Sequence, residues 1–243
     1  MLLVMPSTGK IGIIITGDPI AAIASTRGDY GQIIANTVGE AWDGDYVSWD
    51  ARGDLPVPCP TVAGIIITGS AANVPDRKPW MLKTESWLRA QVGEGIPTLG
   101  ICFGHQILAQ ALGGEVQANP RGREMSTVDV TVTSNGPLFE GLDSSFRANA
   151  CHIDSVVRLP PGANALAHSD GDDYHGIQFA PRCYGVQFHP EFDGDIMRAY
   201  VTARSEPLIA EGHDPARLYE QASDTPQSAS VLRHFVQRIV KAS

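Results

Sequence analysis

No apolar run in this chain approaches the roughly 20 residues needed to cross a bilayer. The longest are short stretches such as Ile13 to Ile15 and Ile65 to Ile67. The opening MLLVMPSTGK has no charged segment ahead of its apolar residues and is too short for a secretory signal. Lys/Arg runs are also missing, and 18 basic against 27 acidic residues leave a net charge of -9. That balance argues against nucleic acid and anionic membrane surfaces as partners. Cysteine is scarce: Cys59, Cys102, Cys151 and Cys183 include no C-x-x-C pair. Neither a disulfide framework nor a zinc site is expected, and the plain reading of each is a small buried hydrophobe. There is no internal repeat, no low-complexity tract and no convincing linker. These absences predict a soluble, cytoplasmic protein.

What is present suits one sizeable fold. The 243 residues are 43% hydrophobic and 19% charged, which excludes general disorder and gives ample chain for a core. A single domain over 1–243 is expected. Lys10 to Thr16 is a β-branched run that suits a strand buried on both faces. Asp29 to Trp42 reads as a helix, Tyr46 to Trp49 as a strand, and Gly64 to Gly69 as a strand like the first. Pro79 to Gln91 reads as a helix, with Pro early and Gly93 just past its end. Thr98 to Ile101 is a strand, and Gly104 to Leu112 a helix stopped by Gly113-Gly114. Such alternation predicts an α/β fold with a central, mostly parallel sheet flanked by helices. Thr127 to Thr133 alternates with period two, so a smaller mixed or antiparallel β region is expected in the second half. Ser205 to Ser230 is polar and turn-rich. Val231, Leu232, Phe235, Val236, Ile239 and Val240 fall on one helical stripe, making 205–243 a C-terminal helical extension.

One segment carries chemistry. In Pro97-Thr-Leu-Gly-Ile-Cys-Phe-Gly-His-Gln106 an apolar strand runs into Cys102 and a helix begins within two residues. Gly100 and Gly104 flank the cysteine at a distance of two, the layout of a nucleophile elbow. A cysteine at a helix N-terminus has its thiolate favoured by the dipole, and the Phe103 N–H is left free for a developing oxyanion. With 25 Gly in 243 residues, both flanking glycines arise by chance at about 0.01 per cysteine. Ser7-Thr-Gly-Lys10 lacks the spaced glycine and the following hydroxyl residue of a phosphate loop.

A thiolate nucleophile needs a base, and the base needs an orienting acid. Three His-x-acid pairs occur: His152-x-Asp154, His168-x-Asp170 and His189-x-Glu191. About 0.8 are expected by chance from 7 His and 27 acidic residues, so spacing alone decides nothing. His189 ends an apolar strand and precedes Pro190, which holds it extended and lets Glu191 share its face. His168 and Asp170 lie in a polar loop. His152 and Asp154 suit a turn or a substrate-side element. Gly69 and Ser70 end the third strand at the carboxyl edge of a parallel sheet, where ligands bind in such folds.

Gly100-Ile-Cys-Phe-Gly-His-Gln106 together with Gly185-Val-Gln-Phe-His-Pro-Glu191 resembles the signature pair of the class I glutamine amidotransferase family. The resemblance runs over roughly Lys10 to Val201 and is strongest to stand-alone, GMP synthase-like amidotransferase domains. Thr16-Gly-Asp18, Gly28-Asp-Tyr-Gly31, Thr68 to Pro75 with Pro79-Trp80, and Cys151 to Asp154 with Leu159 to Gly162 support it. It implies a flavodoxin-like fold in which Cys102 attacks the glutamine side-chain amide, with Phe103 and Gly69 N–H groups holding the oxyanion. It further implies that His189 protonates the departing ammonia and activates water, that Glu191 orients His189, and that Gln106, Ser70, Cys151 and His152 hold the substrate. No cofactor and no metal are implied. Arg123 to Thr127 lacks a Gly-aromatic pair common in relatives, and Asn73 replaces a small hydroxyl residue. No synthetase domain follows, so GMP synthesis in cis is not expected. The expected activity is glutamine hydrolysis to glutamate and ammonia for a separate synthetase. Alternatives are a stand-alone γ-glutamyl peptide hydrolase with the same triad and a non-catalytic metabolite-binding relative.

Overall fold

The computed structural model describes residues 9–57 and 59–242. Residues 1–8, on which the readings of the opening segment and of the start of the rejected phosphate loop fall, lie outside the described residues. In chain order the elements are β1 (Lys10–Ile15), α1 (Ala21–Arg27), α2 (Tyr30–Val38), β2 (Asp45–Asp50), β3 (Gly64–Ile67), α3 (Pro79–Gly93) and β4 (Thr98–Ile101). There follow α4 (Phe103–Ala111), β5 (Glu115–Ala118), β6 (Glu124–Val132), β7 (Ser145–His152), β8 (Asp154–Arg158), β9 (Asn164–His168), β10 (Gly176–Ala180) and β11 (Cys183–Val186). Four helices end the chain: α5 (Gly194–Ala203), α6 (Ser205–Ala210), α7 (Pro215–Gln221) and α8 (Pro226–His234), the last continued by π-helical turns over Phe235–Val240.

Nine strands form one sheet in the order β2-β1-β3-β4-β11-β10-β9-β6-β7. The first five are mutually parallel, and the pairings from β11 to β7 are antiparallel. β5 and β8 form a separate antiparallel ribbon. This is the expected α/β architecture, with the antiparallel strands continuing the parallel sheet. Ile13, Ile14, Ile65, Ile66 and Ile67 are fully buried, as strands covered by helices on both faces require.

Local chemistry explains several boundaries. Asp29 caps α2 by accepting from the Gln32 N–H, and Gln32 accepts from the Asp29 N–H in return, a reciprocal cap that satisfies two orphan donors. Helix α3 runs through Gly93, where a stop was expected, and ends at Glu94. The left-handed residue is Gly95, at φ 74°, so the second glycine makes the turn. Residues 205–210 and 215–221, read as a turn-rich part of the C-terminal extension, are helical, and the Asp214 side chain caps α7. The apolar stripe of the tail is buried in full: Val231, Leu232, Phe235, Val236, Ile239 and Val240 join a core with Ile11, Ile66 and Leu99. Among the described residues no helix is long and apolar enough to cross a membrane.

Candidate active site

The site forms where β3, β4 and β11 end, the carboxyl edge that binds ligands in parallel sheets. Residue Cys102 sits between β4 and α4 at φ 51° and ψ -104°. A non-glycine residue held there stores strain on the order of 1–3 kcal/mol and persists only where its surroundings over-determine it. Two close approaches do so. A Cβ on Gly100 would lie 2.4 Å from the Gly104 carbonyl oxygen, and one on Gly104 would lie 2.4 Å from the Ile67 carbonyl oxygen. Both flanking glycines are thus demanded by backbone packing, and strand, turn and helix press together around Cys102.

On the neighbouring strand, His189 follows the end of β11 and donates its backbone N–H to the Asn149 carbonyl at 2.8 Å. Its Nδ1 lies 2.8 Å from Glu191 Oε1, which leaves Nε2 as the ring nitrogen available to the Cys102 thiol. Phe192 stacks on the imidazole at 4.0 Å and is flanked by Tyr30 and Tyr200, whose hydroxyls meet at 2.7 Å. Cys102, His189 and Glu191 are all buried. Burial pushes the Cys102 thiol up, but the charge and hydrogen bond of His189, aided by His152, outweigh it and hold the thiol below its ordinary value. Burial likewise opposes a charged His189, yet Glu191 and the thiolate raise its pKa well above the ordinary range. Each group therefore favours the charged form of the other.

Gly69 follows β3 against the imidazole: a Cβ there would lie 2.8 Å from His189 Cε1. The Thr16 hydroxyl donates to the Thr68 and Gly69 carbonyls at 2.8 and 3.0 Å and holds this turn in place. The N–H groups of Gly69 and Phe103 have no acceptor among the described residues. Ser70 Oγ donates to the Thr16 carbonyl at 2.8 Å and accepts from the Ala72 N–H, so this hydroxyl braces the turn. A cavity of about 50 Å³ opens on Cys102, lined also by Ser70, Asn73, Phe103, Gln106 and the 151–154 segment. Gln106 donates through Nε2 to the Asp154 carbonyl at 2.7 Å and to Gln187 Oε1 at 3.0 Å. Its side-chain carbonyl oxygen makes no hydrogen bond among the described residues. The Cys151 carbonyl lies 3.8 Å from Cys102 Sγ. A larger cavity of about 970 Å³, between the 51–62 segment and α3, contains none of these residues.

Beside the Cys102 cavity lies a buried polar hub of which the sequence reading singled out only His152. Glu124 Oε2 meets His152 Nε2 at 2.9 Å and His175 Nε2 at 2.5 Å, and Ser169 Oγ donates to Glu124 Oε1. Burial would raise the Glu124 pKa, but the two imidazoles pull it well below the ordinary carboxylate range. Burial disfavours charge on His152, yet Glu124 and Asp172 raise its pKa. Among the described residues these three form a set with metal-ligand atoms within 4.8 Å of one another, and direct hydrogen bonds account for their approach. His168 ends β9 half-buried and Asp170 is exposed, away from the cavity lining. His105 is fully buried, and burial pulls its pKa down to about 4.

Two arginines, Arg123 and Arg204, complete the cavity lining. Arg123 opens the departure already noted in the sequence, and nothing near Arg204 in the chain marks it. Arg123 is paired through two bonds with Glu211 of the C-terminal helices, at 2.6 and 2.8 Å.

A family profile described as glutamine amidotransferase class-I matches residues 48–205. The chain is 34% identical over 179 residues to a glutamine-hydrolysing GMP synthase of Aeropyrum pernix, covering 71% of this chain and only 33% of that protein. It is 27% identical over 226 residues to gamma-glutamyl peptidase 4 of Arabidopsis thaliana, covering 89% and 87% of the two chains. A glutamine amidotransferase crystal structure from Thermotoga maritima superposes with a TM-score of 0.75 at 22% identity, over 96% of this chain and 98% of that one, which shows a common fold.

Proposed function

The chain belongs to the class I glutamine amidotransferase family, and from that premise we propose that it hydrolyses a γ-glutamyl amide bond through a Cys102 thioester. The observation that carries this reading is a hydrogen-bonded His189–Glu191 pair buried together with Cys102, which occupies a strained strand-to-helix turn. The thiolate attacks the δ-carbonyl carbon, a C–S bond forms, and the carbonyl electron pair moves onto oxygen. The N–H groups of Gly69 and Phe103 would hold that oxyanion. As it collapses, the C–N bond breaks and the His189 imidazolium protonates the departing nitrogen. Neutral His189 then takes a proton from water, hydroxide adds to the thioester, and glutamate leaves as the thiolate returns. Glu191 keeps the Nδ1 proton in place through both steps.

With glutamine the departing group is ammonia, delivered to a synthetase on a separate chain; the GMP synthase relative, a third of whose length this chain spans, supports that reading. A second reading takes γ-glutamyl peptides as substrate. It is favoured by the match along nearly the whole of both chains to a protein named as a gamma-glutamyl peptidase. The test is steady-state glutamate release from glutamine and from γ-glutamyl dipeptides, with Cys102→Ala beside the parent. Turnover of either substrate that falls by about a thousandfold or more in the variant is expected for loss of the nucleophile. If neither substrate turns over and a glutamine-like electrophile fails to label Cys102, the hydrolase reading is wrong.

A further inference from the structure

Just past the end of β1, every polar group of Thr16 is committed to the turn that follows β3. Its N–H donates to Thr68 Oγ1 at 3.0 Å and its hydroxyl to the Thr68 carbonyl at 2.8 Å. Its carbonyl accepts from Ser70 Oγ at 2.8 Å. The Thr68 N–H donates to the Ile14 carbonyl at 3.0 Å, as the parallel ladder requires. Had the ladder continued, the next bond would run from the Thr16 N–H to the Thr68 carbonyl. The Thr68 side chain takes that N–H instead, and the carbonyl is left to the Thr16 hydroxyl. A hydroxyl has one proton to give. The Thr16 hydroxyl serves Thr68, the shorter of its two carbonyl contacts, and the Thr68 hydroxyl serves the Gly69 carbonyl at 3.1 Å. Both threonines are buried, so a carbonyl left unpaired here would be costly.

The direction of the Gly69 N–H follows. The peptide joining Thr68 to Gly69 is planar and trans, so its N–H points opposite to its carbonyl. In the sheet β3 lies between β1 and β4. A carbonyl held on the β1 side therefore turns the Gly69 N–H to the β4 side, where Cys102 follows the last residue of the strand. Glycine restricts its own φ and ψ least of all residues, so the hold on this peptide must come from outside. Among the described residues no other donor reaches the Thr68 carbonyl. Gly17 lets the two turns lie this close, since a Cβ there would be 2.9 Å from Ser70 Cα.

We propose that Thr16 is a positioning residue for the hydrolysis. Its hydroxyl holds the Thr68–Gly69 peptide with the N–H turned to the Cys102 side, so the oxyanion donor is in place before substrate arrives. This rests on the reading of Cys102 as nucleophile and Gly69 as oxyanion donor, and the test separates the two. Thr16→Val keeps the size and the backbone bonds but loses the hydroxyl, whereas Thr16→Ser keeps it. In Thr16→Val kcat is expected to fall about 10- to 100-fold with KM within about twofold, short of the roughly 100- to 1,000-fold for outright loss of an oxyanion donor. Thr16→Ser should recover most of that loss. Alkylation of Cys102 by iodoacetamide forms no oxyanion, so its rate should be the same in all three proteins. A valine variant as active as the parent overturns the proposal. So does a fall in kcat matched by slower alkylation or shared by the serine variant. Thr16→Ala against Thr16→Ser, one hydroxyl apart, gives the same reading if the valine variant does not fold. Crystal structures of the parent and Thr16→Val carry the test without turnover. The peptide is expected to turn or to split between two orientations in the variant, and an unchanged orientation overturns the proposal. A parent inactive on every γ-glutamyl compound would sink the hydrolase reading and leave the crystal comparison to decide this one.

Discussion

At Cys102 two opposing forces meet, and the sign of their sum is measurable. Burial alone would leave an inert thiol, as at Cys183, where burial pushes the pKa well above the usual range. His189 reverses that at Cys102 through its charge and hydrogen bond. The rate of Cys102 alkylation against pH is therefore expected to have its midpoint below that of a free cysteine. In His189→Ala burial is left with little opposition, and the midpoint should move above the free value. A midpoint unmoved by the substitution would show that the imidazole does not set the thiol's charge. Glu191 enters the same balance indirectly. Its carboxylate raises the pKa of His189 and so keeps present the positive charge on which the thiolate depends. The nucleophile was legible because its signal is local: strand, cysteine, two glycines and helix fall within ten residues. Arg204 was not legible, since an arginine whose Nε is buried without an acceptor is defined by partners it lacks in space.

At the scale of elements, the elbow holds because β3, β4 and α4 approach to backbone contact. A methyl on Gly104 meets the Ile67 carbonyl oxygen, so Gly104→Ala must push α4 away from β3. We expect a loss of about 1–3 kcal/mol, the usual cost of overpacking, read as a lower urea midpoint with unchanged slope. Activity should fall with it, because the same shift moves Cys102. An unaltered midpoint would mean that the turn has slack the close contacts deny. Strand and helix placement followed hydrophobic pattern where burial is two-sided or striped, as at Ile65 to Ile67 and in the tail. Pattern failed for α6 and α7. Both helices are short; α7 buries no residue and α6 only Leu208, so periodicity had little to show. Directed bonds add to the packing of Leu208: Ser126 Oγ donates to the Leu218 carbonyl, and Arg123 grips Glu211.

Across the whole molecule, Glu124 joins β6, β7 and the segment before β10 through His152 and His175. Its lowered pKa stabilises the fold above the unfolded carboxyl value, and that contribution is lost as pH falls through the folded one. The raised pKa of His152 acts in the opposite sense: its contribution is full below the unfolded imidazole value and is lost as pH rises through the folded one. Both contributions are complete only between about pH 4.3 and 6.5, the unfolded values. Glu124→Gln is expected to lose about 3 kcal/mol or more, with two bonds to a charged acceptor weakened at about 1.5–3 each. Urea denaturation across pH should show its acid limb flatter than that of the parent, and parallel limbs would place the acid sensitivity elsewhere. The arrangement of the sheet carries one more consequence, concerning time. β4 and β11 are neighbours in space but far apart along the chain, so ribosomal synthesis delivers the cysteine long before its activating base. Until β11 seats beside β4, the nascent thiol has no imidazolium against it and keeps the sluggish chemistry of any cysteine. Reactivity switches on at the closing of the sheet, and an incomplete chain is spared its own nucleophile.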